Sequence, residues 1–269
     1  MIKSFIRNLK AIYGRMYVRI IGGNRYLHEI FADAFLPLLN LSAYVFVYKA
    51  MNAPQDLASF VIIGGVMVTF WLNVLWNMGA QLYWEKEMGN LEIFLLAPIS
   101  RMAILFGMAI GGMINTSLRA LATLILGLYI FNVKFNISDP MLVLIIFILT
   151  LIALYALGML FSSLFLLFGR EAWHSANLLQ EPIYFLSGIY FPIKYFPFWL
   201  QVIASLIPLT IGLDAIRKLI IYGSDFIDIQ LHFFLLILFS IILLMLAKFS
   251  LNYMEKIAKK EGRLTLRWI

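Results

Sequence analysis

The feature that most constrains this chain is a series of long apolar runs with almost no charge in them. Residues 30–48, 57–82, 102–131, 141–168, 172–191 and 229–247 stand out in this way. Each holds about the ~20 residues that a helix needs to cross ~30 Å of hydrocarbon. Composition leaves no soluble alternative: 63% of the 269 residues are hydrophobic and 13% are charged, whereas a water-soluble domain carries about a quarter charged residues. The expected fold is an all-α integral membrane protein of six transmembrane helices, built as one domain over residues 1–269 without a soluble module.

The third and fourth runs exceed the minimum length, so tilting, kinking or protrusion is expected of them. Gly111 and Gly112 offer a bend in the third. The first and fifth runs are the most polar, with Asp33, Pro37 and Asn40 in one and Glu181 and Pro182 in the other. From Pro192 to Tyr222 the chain is apolar but broken by Pro192, Pro197 and Pro208. Within the outer-side segment 192–228, short re-entrant helices dipping into the outer leaflet fit that pattern better than a continuous span.

The net charge of +7 is concentrated at the two ends. Lys3, Arg7, Lys10, Arg15, Arg19 and Arg25 precede the first run, and Lys248, Lys256, Lys259, Lys260, Arg263 and Arg267 follow the last. If the amino terminus is inside, residues 1–29, 83–101, 169–171 and the tail 248–269 face the cytoplasm, adding Lys86, Arg101 and Arg170 to that side. The opposite side holds Lys49, Lys134, Lys194, Arg217 and Lys218, while Arg119 lies within a run. This asymmetry predicts a multi-pass protein of the cell membrane with both termini cytoplasmic. It also assigns the basic excess to anionic head groups rather than to nucleic acid. Residues 3–20 read as an amphipathic interfacial helix. Phe5, Leu9, Ile12, Met16 and Ile20 share one face, Lys3, Arg7 and Lys10 lie opposite, and Arg19 sits at the apolar edge, from which it can snorkel to head groups.

Reaction chemistry is conspicuously missing. Without cysteine there is no thiolate catalysis and no Cys-ligated metal. The expected topology puts His28 and His174 near the cytoplasmic face and His232 near the outer face, as interfacial residues without metal-ligand spacing. No nucleophile elbow and no phosphate-binding loop of the Gly-x-x-x-x-Gly-Lys type occurs, so any ATP used must be bound by another chain. What remains are polar groups inside apolar runs. These are expensive in hydrocarbon and therefore tend to face water or a partner. Asp33, Asn40 and Glu181 are the candidates for a translocation path or for helix packing.

Two stretches are more specific. The segment from Tyr83 to Arg101, with Glu85, Glu87, Gly89, Leu91, Glu92, Leu96, Ala97, Pro98 and Ser100, resembles the loop after the second span in permeases of the ABC transporter type-2 family. The second stretch carries Pro182, Ser187, Gly188, Phe191, Pro192, Pro197, Trp199, Leu200, Pro208, Leu209, Thr210, Asp214, Ala215, Ile216 and Arg217, and is similar to that family's fifth span and outer segment. The resemblance implies two permease subunits, this chain with a second copy or a homologous permease, joined to two cytoplasmic ATP-binding subunits that hold the ATP and Mg. It implies export of a lipophilic or amphipathic cargo, nearest to the drug and antibiotic exporter branch, with no cofactor on this chain.

Within the first stretch, Leu91, Phe94, Leu95 and Pro98 follow i, i+3, i+4, i+7 spacing. They form an apolar ridge that a groove on the ATP-binding partner would bury, while Glu85, Glu87 and Glu92 pair with basic groups there. Gly89 is expected to end one helix and Pro98 to start the next. The rival readings are a secondary transporter or channel without an ATPase, which would show two inverted halves with paired broken helices, and, third, a membrane enzyme.

Overall fold

In the computed structural model, residues 2–25, 27–169 and 171–262 are described, and no strand occurs among them. Arg170, Arg263 and Arg267, counted above as cytoplasmic charge, lie outside the described residues. The helices are α1 (Ile2–Gly23), α2 (Leu27–Ala50), α3 (Gln55–Leu72), α4 (Gln81–Glu87), α5 (Asn90–Leu96), α6 (Arg101–Phe131), α7 (Pro140–Phe168), α8 (Glu171–Leu186), α9 (Phe198–Ala204), α10 (Pro208–Ile221) and α11 (Phe226–Lys260). A π-helical turn, Asn73–Met78, joins α3 to α4. In hydrocarbon every backbone N–H and C=O must be satisfied within the chain, and helices do this segment by segment.

Five stretches are long and apolar enough to cross a membrane: Ile30–Ala50, Asp56–Glu87, Arg101–Phe131, Pro140–Phe168 and Phe226–Lys260. The fifth expected run forms α8, which at 16 residues is only ~24 Å long and falls short of the other five. Its two ends reach opposite ends of the bundle. Trp173, near its start, packs against Tyr83, Trp84 and Phe165 at the α4 end. The carbonyls of Gly188 and Ile189, just past its end, are held by Arg217 beside the Phe60 carbonyl, near the start of α3.

Beyond α8 the prolines act as expected. Pro197 precedes α9 and Pro208 occupies the first turn of α10. Those two helices meet at 99°, a bent pair that dips in and returns. At this end of the bundle the loops are stitched together by Gln55 donating to the Asn132 carbonyl (3.1 Å), Asn136 N–H to Ile220 (2.8 Å) and Ser138 to Gly223 (2.9 Å).

The core centres on the stretch Asp56–Glu87, which is far more buried than α2 or α11. Phe70, Trp71, Leu75, Met108, Leu154 and Tyr155 are enclosed there. The long pair α7 and α11 packs along its length, with Ser163 and Ser250 sharing a hydrogen bond of 2.5 Å. Asp139 caps α7 by accepting from Met141 and Leu142 N–H, and Asp225 with Asp228 forms a reciprocal box at the start of α11.

Two expectations are refined. The helix α6 runs continuously from Arg101 to Phe131, and its glycines admit a neighbour. A Cβ on Gly107 would meet the Ile12 carbonyl at 2.5 Å, and one on Gly111 would meet the Arg19 Cβ at 2.7 Å. These glycines let α1 lie lengthwise against α6, the close-approach logic of a small-xxx-small seam. Arg19 does not reach for head groups. It points inward on the face that docks on α6, where burial lowers its guanidinium pKa despite the opposing influence of Tyr155. The large apolar residues of α1 left exposed are Phe5, Ile6, Leu9, Tyr13, Tyr17, Val18 and Ile21. They form a second, apolar face that suits the membrane interface.

Candidate functional site

The first candidate site is the elbow formed by α4, α5 and the break before α6. Gly89 adopts φ +75° and ends α4 at once before α5 begins at Asn90, a conformation open to glycine without strain. Pro98 does not start the next helix. It lies in the extended break after α5, and α6 begins at Arg101. Ser100 precedes α6, and its N–H donates to Asn8 Oδ1 of α1 at 3.0 Å.

The elbow's apolar ridge faces the opposite way from the one expected. Leu91 is 3% exposed, and Phe94 and Leu95 pack against the core of the same chain. Phe94 lies 4.9 Å beneath the Arg15 guanidinium. The i, i+3, i+4 pattern is real, but it is satisfied internally because α5 folds back onto α4 and against Arg15 of α1. The outward face belongs instead to Met88 (70% exposed), Ile93 (64%) and Leu96 (87%), with Glu87, Glu92 and Pro98 exposed beside them and Ala97 half-buried.

Glu85 is also corrected. It is buried in its own chain, where it accepts from Arg15, from Gln81 Nε2 (3.0 Å) and from Asn90 Nδ2 (3.0 Å). Glu87 and Glu92 remain on the surface. Sequence reasoning treated Arg15 only as part of the basic flank and so missed it. The available signal was its place among the side chains of α1 that face away from Phe5 and Leu9.

The second candidate site is the set of polar side chains inside the spans. Asp33 pairs with Arg119, whose Nε lies 2.9 Å from Asp33 Oδ2. Arg119 also donates to the carbonyls of Asn115 (3.1 Å) and Gly23 (2.6 Å). Asn40 donates to the Tyr190 hydroxyl at 3.3 Å, and Tyr44 stacks on Tyr190 with centroids 3.9 Å apart. Glu181 is exposed on α8 and accepts from Gln180 (3.2 Å), while Trp76 of the π-helical turn donates to Gln180 (2.7 Å). Asn77 and Asn177 are exposed as well. The structure therefore groups Asn40 with the α8 side of the molecule and places Asp33 with α6 and the π-helical turn.

Three more groups deserve their partners' names. His232 bonds Asp214 at 2.8 Å, and Lys218 joins the same carboxylate at 3.0 Å. Arg217, 3% exposed, is clamped by three carbonyls and stacks 3.2 Å from the Phe60 ring centroid. No group of three or more His, Asp or Glu side chains suited to a metal ion occurs among the described residues.

The family model for the ABC-2 type transporter matches residues 7–221. The chain is 27% identical over 223 residues to the putative transport permease ycf38 of Porphyra purpurea, covering 80% of this chain and 74% of that protein. It is 24% identical over 226 residues to ycf38 of Cyanophora paradoxa, covering 82% and 76%. Similarity to the probable multidrug ABC transporter permease YbhR of Escherichia coli (strain K12) is 26% over 182 residues. That match covers 66% of this chain but spans only 45% of YbhR.

Proposed function

This chain belongs to the ABC-2 type transporter family as the transmembrane permease subunit of an ABC transporter, and we propose that the α4–α5 elbow is the surface on which a separate ATP-binding subunit acts. That subunit binds ATP and Mg and hydrolyses the nucleotide. The permease contributes the path for a lipophilic or amphipathic cargo moving out of the cytoplasm. Both termini and the elbow face the cytoplasm of a cell membrane, in keeping with the basic-residue asymmetry. The reading divides the chain into the interfacial helix 1–29, the coupling segment 83–101, the outer segment 192–228 and the tail 248–269.

The observation that carries this reading is the exposed ridge of Met88, Ile93 and Leu96. It lies between two spans, beyond the hydrocarbon, where a cluster of large exposed apolar side chains marks an interaction surface. Glu87 and Glu92 flank the ridge and set the register against basic groups of the partner, with each exposed pair contributing little by itself. Gly89 and the Ala97–Ser100 break give the elbow its two corners. A second permease copy is supported from the other side of the molecule. Asn40, Asn177 and Glu181 are exposed on α2 and α8, and a carboxylate facing lipid costs on the order of 2.5–3.5 kcal/mol. A path shared between two copies would cover all three.

Ile93→Asp and Leu96→Asp test the elbow. Burying one large apolar side chain contributes roughly 1.5–3 kcal/mol, so either substitution lowers co-purification with the ATP-binding subunit or leaves ATP hydrolysis running without transport. The thermal stability of the permease alone stays unchanged, because both side chains are already exposed. Normal assembly, ATPase rate and transport in both variants would reduce the elbow to a connector.

A further inference from the structure

We propose that the groove between α2, α6 and the π-helical turn binds the uncharged or zwitterionic polar head of an amphiphile at the cytoplasmic boundary of the membrane. The groove encloses about 230 Å³ and is walled by Asp33, Leu36, Asn73, Trp76, Asn77 and Arg119. Its depth follows from helix geometry. At 1.5 Å per residue, Asp33 lies roughly 25 Å from the Ala50 end of α2, and Asn73 about 27 Å from the Gln55 end of α3. Those two ends are neighbours on the outer side. With hydrocarbon ~30 Å thick, the groove opens where the head groups of the inner leaflet begin, while Leu36 and Trp76 supply an apolar rim.

The class of head follows from how the charges are already used. Arg119 is engaged internally: Nε lies 2.9 Å from Asp33, Nη1 donates to the Asn115 carbonyl and Nη2 to the Gly23 carbonyl. Arg119 is 9% exposed and Asp33 58%, so the pair presents a neutralised carboxylate to the groove rather than a net charge. The other polar groups facing it are the amides of Asn73 and Asn77 and the hydroxyls of Thr69 and Thr116. Such a set answers hydroxyl, amide or phosphodiester groups by hydrogen bonding and gives a bare cation or anion no counter-charge. Two side chains are oriented in advance. Asn73 Oδ1 accepts from the Tyr155 hydroxyl at 2.9 Å, and Trp76 Nε1 is held by Gln180 at 2.7 Å, which lowers the ordering cost of binding. The π-helical turn is itself an irregularity that recurs at functional sites. It contributes Asn73, Trp76 and Asn77 together.

The proposal rests on the cytoplasmic orientation given above, but its test requires neither ATP nor transport, so the two readings fail separately. The full chain is placed in nanodiscs and exposed to dodecyl amphiphiles bearing a diazirine beside the head, with maltoside, phosphocholine, trimethylammonium or sulfate as the head. Maltoside and phosphocholine label residues 32–37 and 72–77 about tenfold more than the two charged heads, the scale of one or two hydrogen bonds. Asn77→Leu removes this preference. Leu36→Trp, at a position already exposed on α2, plugs the rim and lowers labelling by a similar factor. A separate arm, with the ATP-binding subunit and ATP added before irradiation, distinguishes the sources: labelling lowered by turnover marks cargo, and unchanged labelling marks a resident lipid. Equal labelling by all four heads, preference for one of the charged heads, or indifference to both substitutions overturns the proposal.

Discussion

The guanidinium of Arg15 closes on the carboxylate of Glu85, so the first helix is fastened to the end of α4 and moves with the elbow. The carboxylate is 6% exposed, the guanidinium 20%, and Gln81 and Asn90 complete the set of donors. Removing one member of a buried pair leaves the other uncompensated, at a cost of about 3 kcal/mol. Glu85→Ala and Arg15→Ala should each lower the thermal stability of the purified permease. The double variant should be less destabilised than the sum, by about 1–3 kcal/mol of coupling. Strict additivity would mean that the two helices are not joined through this contact.

Gly111 is the second test of that junction. A side chain there meets Arg19 Cβ at 2.7 Å and the Met16 carbonyl at 2.9 Å, whereas Gly14 of α1 has nothing within 4 Å of an added Cβ. Gly111→Val should push α1 off α6 and expose a cysteine placed at Asn8 to a water-soluble maleimide. Gly14→Ala should leave that protection intact and raise stability by about 0.5–1 kcal/mol, since glycine inside a helix is unfavourable relative to alanine.

Arg217 organises the opposite end. Its guanidinium donates to Gly188 (2.7 Å), Ile189 (2.7 Å) and Phe60 (3.0 Å) carbonyls, tying the turn after α8 to α3 and α10. Gly64 makes this possible, because a Cβ there would meet the Ile189 carbonyl at 2.0 Å. Arg217→Met strands three acceptors, each costing about 1–3 kcal/mol when left unsatisfied, and should prevent stable expression. Arg217→Lys keeps the charge without the planar fork and should recover part of the yield. Equal expression of wild type and Arg217→Met would remove the clamp from the account of the fold.

The bundle was legible in the sequence because hydrocarbon imposes one rule on every run of ~20 apolar residues. The prolines at 192, 197 and 208 also carried their meaning plainly, since each removes an N–H. Orientation of side chains was harder to read. The ridge of Leu91, Phe94 and Leu95 had the right period, but a period says which residues share a face and not what covers it. Tertiary packing against Arg15 and the core decided that. Gly111 could likewise bend a helix or admit a neighbour, and the second shows only once α1 is in place. Asp33 and Arg119 lie far apart in sequence in different runs, so their pairing had no local signal beyond the cost of leaving either charge alone.

Topology can be checked directly. Cysteines at Asn136 and Asp56 should react with an impermeant reagent added outside sealed cells, and a cysteine at Asn90 should react only after permeabilisation. Asn90 sits at the elbow beside Glu85 (3.0 Å), so labelling there from outside would reverse the bundle and remove the elbow from reach of any cytoplasmic ATPase.

Glu181 carries the last prediction. It is exposed on α8 in the single chain, one residue after Gln180, which accepts from Trp76 and donates to the Glu181 carboxylate. A lipid-facing carboxylate at this depth would be costly, so the face bearing Glu181 should meet water or a second permease. Glu181→Gln keeps a hydrogen-bonding group of the same shape and should retain most transport. Glu181→Leu removes that polarity and should lower transport about tenfold, a change of ~1.4 kcal/mol, or alter the association of the two permease copies in native mass spectrometry. The elbow is distant from this change, so co-purification with the ATP-binding subunit should stay normal in both variants. If Glu181→Leu expresses, assembles and transports as the wild type does, the residue faces neither the path nor the partner copy.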